Sequence, residues 1–127
     1  MILEMLALFG LAQPSESPQV RRNEMSTQGL IFSFPESIGP AIDRYQDCLS
    51  KSLRGADLSV PEAAFEAGIV TCAPTRVASM AQAEELLRAD RTVPAERRIA
   101  VIERSFRSVD ASHRSHGQQL KDIMARR

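Results

Sequence analysis

The sequence predicts an all-α fold, a small bundle of about four helices with a disulfide-stapled helical hairpin and a long C-terminal helix. Three observations lead there. Apolar residues from Ser37 onward recur at three- and four-residue steps, the period of an amphipathic helix. Pro40, Pro61 and Pro94 each sit where such a segment begins, in the first turn, where a missing N–H is harmless. A seven-residue apolar repeat then runs through the last segment.

Residues 1–12, MILEMLALFGLA, form an apolar run that stops at the polar QPSESP, as an export signal does. Gly10 and Ala12 place small residues three and one before a cut at Gln13. Against this, the run has no Lys or Arg at its start, and Glu4 interrupts it. The alternatives are an amphipathic first helix of a cytosolic protein, or a chain that starts at Met25. The run is too short to span a bilayer, which takes about 20 residues.

Residues 13–35 read as a disordered linker followed by an apolar arm. QPSESPQVRRNEMSTQG is polar and carries proline, and it is expected to be disordered. The run LIFSF, closed by Pro35, is read as an extended arm lying between helices, because a lone strand finds no partner elsewhere in the sequence.

Residues 36–127 are expected to be the helical domain. Its first helix carries Ile38, Ala41, Ile42, Tyr45, Cys48, Leu49 and Leu53 down one face, with Ser37 as cap, Arg54-Gly55 as stop and an outer Asp47–Lys51 pair. The second starts at Ser59-Val60-Pro61 and turns Phe65, Ile69 and Cys72 inward; Pro74 should end or kink it. A third pattern, Thr75 to Arg88, puts Val77, Met80, Ala83 and Leu87 on one stripe and pairs Glu84 with Arg88. The last helix, capped by Thr92, repeats Ile99/Ile102, Phe106/Val109, His113/His116 and Leu120/Ile123 as a and d positions, with Glu103–Arg107 and Asp110–Arg114 outside. Unbroken from Pro94 to Ala125 it would be about 48 Å long. It must then project, pair with a second copy as a homodimer, or break, and Gly117 is the expected break.

Cys48 and Cys72 fall on the apolar faces of consecutive helices, so a disulfide between them would staple a hairpin. Closing a loop of about 25 residues is worth about 3 kcal/mol in the chain-entropy treatment. Such a bond belongs to an oxidising compartment; in the cytosol the pair would be buried thiols.

The overall charge is balanced, with 16 basic and 16 acidic residues, but the half from Arg76 onward is mildly basic. Arg97, Arg98, Arg104, Arg107 and Arg114 form an Arg-bearing surface along the last helix, with Arg97, Arg104, Arg107 and Arg114 as the candidate partner-binding residues. Nucleic acid is disfavoured there, because acidic residues interleave and stacking aromatics are missing. His113 and His116, at i,i+3 on one helix face, read as polar residues where the helix leaves the core, as half of a metal site completed by other ligands, or as a pH switch. The chain has no glycine-rich phosphate loop, nucleophile elbow or H-E-x-x-H, and Asp110, Ser112 and His113 point apart around a helix, so neither catalysis nor a cofactor is expected.

The resulting expectation is a periplasmic or secreted, non-catalytic module that binds or inhibits a partner protein or serves structurally. The alternative is a cytoplasmic helical regulator that binds nucleic acid or a partner helix through the Arg-bearing C-terminal helix.

Overall fold

The computed structural model describes residues 20–24 and 31–127. They form strands β1 (Val20–Glu24) and β2 (Ile31–Pro35) and helices α1 (Gly39–Ser52), α2 (Pro61–Thr71), α3 (Ala73–Arg88) and α4 (Arg98–Ala125). Single 3-10 turns, Glu36–Ile38 and Ala95–Arg97, lead into α1 and α4. The architecture is an all-α bundle with a short hairpin attached. The run 1–12 expected to be an export signal lies outside the described residues.

The arm is not a lone extended segment. β2 pairs antiparallel with β1, Val20 opposite Pro35 and Glu24 opposite Ile31, so part of the polar stretch expected to be disordered is its partner. Polar residues in β1 conceal the strand in the sequence, while β2 supplies the apolar anchor: Phe34 is buried in the helical core.

Helix starts follow the prolines and not the hydroxyls. α1, α2 and α3 each carry proline in the first turn, and none has a side-chain cap. Ser37 instead donates to Asp90 Oδ2 at 2.6 Å. Thr92, expected to cap the last helix, donates its hydroxyl and amide to Asp90 Oδ1. The Ser59 amide donates to Asp57 Oδ1, closing a local turn. The expected outer pairs Asp47–Lys51 and Glu84–Arg88 form.

α2 and α3 are two helices, broken at Cys72. The Cys72 amide donates to the Gly68 carbonyl while its own carbonyl accepts from the Arg76 amide, so this residue closes one helical ladder and opens the next. Pro74, in the first turn of α3, cannot extend the earlier ladder.

The core gathers Phe34, Ile38, Ala41, Ile42, Tyr45, Leu49, Cys72, Ala83, Leu87, Ile102, Phe106 and Val109. Three expected inward residues are exposed: Val77 by 69%, Ile99 by 67% and Ile123 by 43%. On α3 the inward stripe is Cys72, Arg76, Ser79, Ala83 and Leu87, rotated from the expected one because Arg76 turns in toward a carboxylate on α4. On α4 the buried positions Ile102, Phe106, Val109, His113 and Gly117 face the other helices of the same chain.

Gly117 is not a break. α4 runs unbroken for 28 residues, about 42 Å at 1.5 Å per residue. The glycine is there for proximity: a Cβ at 117 would lie 3.0 Å from Cβ and Cγ of Phe65 on α2. α2 covers the C-terminal half of α4 through this contact and through two outer ion pairs, Glu66–Arg114 and Glu62–Lys121.

Candidate functional site

Cys48 on α1 and Cys72 at the α2–α3 junction form a disulfide with a Cα–Cα separation of 6.0 Å, within the range such bonds adopt. Cys72 is fully buried and belongs to the core. The bond ties α1 to the point where α2 hands over to α3, as the helical-hairpin expectation required.

Beneath it lies a polar cluster that the sequence did not disclose. The Tyr45 hydroxyl donates to Asp110 Oδ1 at 2.5 Å, and Arg76 donates to Asp110 Oδ2 through Nε at 3.1 Å and Nη2 at 2.9 Å. The guanidinium also stands 5.9 Å from the ring centres of both Tyr45 and Phe106, within cation–π range. Burial, then the hydrogen bond to Asp110, pushes the Tyr45 hydroxyl far above the ordinary phenol range. Tyr45 is wholly inaccessible, and each oxygen of Asp110 has a donor. The cluster therefore has the character of a structural clamp joining α1, α3 and α4. Helical spacing assigns Asp110 to Arg114, but Arg114 reaches across to α2 and donates to both oxygens of Glu66, at 2.8 and 2.9 Å.

The two histidines part company. His113 is buried, stacks on Phe65 with ring centres 4.8 Å apart, and donates Nε2–H to the Phe65 carbonyl at 3.0 Å. His116 is half-buried. Burial holds both imidazoles below the usual histidine range. Both border a cleft of about 230 Å³ between α1 and α4, together with Gln46, Ser50 and Ser112. The Ser112 hydroxyl is buried without a hydrogen-bond partner. As metal ligands the pair is incomplete: His113 spends one nitrogen on the backbone, and no group of three or more His, Cys, Asp or Glu among the described residues is placed to hold a metal ion.

The arginines on α4 and in the turn before it also divide. Arg114 is committed to Glu66, whereas Arg97, Arg104 and Arg107 are exposed. Arg97 and Arg104 stand two turns apart and flank Val101 along a second cleft, of about 180 Å³, formed where the hairpin meets α4 and the loop before it. Phe34, Pro35 and Val93 complete its apolar side, and no carboxylate among the described residues lines it.

No helix among the described residues is long and apolar enough to cross a membrane. Comparison with protein families, with curated proteins and with solved structures finds no match for this chain.

Proposed function

We propose that this chain is an exported, non-catalytic module that works by binding, inhibiting or structurally supporting a partner protein outside the cytoplasm. The observation that carries the reading is the Cys48–Cys72 disulfide, whose sulfur at residue 72 lies in the core and joins three helices at one point. A bond of that kind persists in an oxidising compartment and is lost in the cytosol. The absence of catalysis rests on the state of the polar side chains. Tyr45, Asp110 and Arg76 satisfy one another inside the bundle, and His113 is held by the backbone of α2.

The cytoplasmic alternative relies on the arginines of α4. It is weakened by Arg114, which faces Glu66, but Arg97, Arg104 and Arg107 leave a positive surface for it.

Intact mass of the protein isolated from its own cells, without reductant and then after thiol alkylation, tests the reading. An exported protein begins at Gln13 and is two hydrogens lighter than its reduced form. A chain with Met1 retained and two alkylatable thiols overturns it.

A further inference from the structure

We propose that the cleft between β2, the loop before α4 and the first turns of α4 is a docking site for a short acidic peptide segment of a partner protein, anchored by an apolar side chain. The proposal rests on the reading of the chain as a binding module and supplies the surface that the reading lacks.

The cleft is built before any ligand arrives. Asp90 holds both of its walls: Oδ2 accepts from Ser37, just beyond β2, while Oδ1 accepts from the hydroxyl and amide of Thr92. These donors keep the Asp90 carboxyl below the usual carboxylate range, the Ser37 hydroxyl first among them. Pro35 and Pro94 fix the backbone on either side, since each has a locked φ. The Asp90 charge is thus consumed in holding the walls together.

The chemistry of the lining selects the ligand. Phe34, Val93 and Val101 form an apolar floor, and among the described residues the charged groups at the rim are Arg97 and Arg104, with no carboxylate paired to either. Lys51, Arg76, Arg88, Arg114 and Lys121 are paired with carboxylates, and what sets Arg97 and Arg104 apart from the remaining exposed arginines, such as Arg107, is that they line an apolar cleft. Two turns of helix separate the rim arginines by about 10.5 Å, close to the distance an extended chain covers in about three residues. A peptide whose two carboxylates are three positions apart, with an apolar residue between them, spans both arginines and reaches the floor. Arginine is suited to this, because its planar fork binds a carboxylate with two parallel hydrogen bonds.

The test uses the oxidised full domain and a dye-labelled peptide with a central leucine between aspartates, compared with the same peptide carrying lysines. The acidic peptide binds, with affinity that falls as salt rises, and Arg97→Gln with Arg104→Gln weakens it about tenfold, two exposed ion pairs being lost. Circular dichroism and thermal unfolding of this double variant are unchanged, because both side chains are exposed. Binding of both peptides alike, indifference to the double variant, or displacement of the acidic peptide by a short single-stranded oligonucleotide at equal concentration overturns the proposal. If the acidic peptide binds a protein that proves uncleaved and reduced in its cells, export fails and the docking site stands. If no peptide binds an exported, oxidised protein, only the docking site fails.

Discussion

Asp110 shows what a single residue contributes when its partners lie on other helices. It accepts from Tyr45 on α1 and from Arg76 on α3, so removing its carboxylate strands the buried hydroxyl and leaves the half-buried guanidinium with only the Met80 sulfur as acceptor. Asp110→Ala should destabilise the fold by about 3 kcal/mol, the cost of breaking a buried ion pair from one side, as read by chemical denaturation. A loss below 1 kcal/mol would mean that solvent already satisfies Arg76. The i,i+4 rule reads only a residue's own helix, which is why the sequence assigns this carboxylate to Arg114. The same blindness hides the partner of His113, a backbone carbonyl on α2. Its burial has a signed consequence. The unfolded chain protonates near the ordinary value of about 6.5, while burial holds the folded imidazole lower; the Phe65 carbonyl opposes this most, His116 adds to it, and Asp110 and Glu66 oppose. The unfolded state therefore binds the proton first, and stability is greatest above about pH 6.5 and declines as pH falls below it. Thermal unfolding across this window should show the decline in the native chain and a shallower one in His113→Gln. Equal slopes would exclude His113 as the source.

At the scale of elements, helices were legible from their apolar period and their prolines, because both act locally. Their caps were not legible. Ser37 and Thr92 have the right identity, but the cap positions of α1 and α4 fall to Ile38 and Arg97, and the Asp90 carboxylate takes both hydroxyls. The hairpin was hidden for a different reason. A strand such as Val20–Glu24 shows little apolar alternation, and only its pairing with Ile31–Pro35 gives it a place. Gly117 reads from the sequence as a break and in the structure serves close packing. Its lack of a Cβ serves the approach of Phe65 and not a bend, so Gly117→Ala sets two effects against each other. Helix propensity favours alanine by about 1 kcal/mol, and crowding against Phe65 costs about 1 to 3. A net loss of about 1 kcal/mol is expected in denaturation, recovered when Phe65→Leu is added to make room. Stabilisation by Gly117→Ala alone would show that α2 yields freely.

For the whole molecule, the seven-residue stripe on α4, expected to project, pair with a second copy or break, packs in part against the other helices of its own chain. Ile102, Phe106, Val109 and His113 meet the other helices, while Ile99 and Ile123 at its ends stay exposed. A repeat cannot tell a neighbouring helix of its own chain from that of a second copy. The cysteine pairing was legible because two cysteines on facing apolar stripes allow a single intramolecular bond. Replacing both by alanine should lower stability by about 3 kcal/mol, seen as a lower melting temperature than that of the oxidised chain and matched by reduction with a thiol. An unchanged melting temperature would show that the bond follows folding without supporting it.

The junction at Cys72 also gives α2 two unlike ends. Its C-terminus is welded to α1 by sulfur, whereas its N-terminus, after the exposed Val60, is held by side chains alone. Such a helix opens as a flap on a covalent hinge. Its first amides exchange with solvent before its last, and a protease that cuts the exposed 57–60 stretch releases no fragment until the disulfide is reduced.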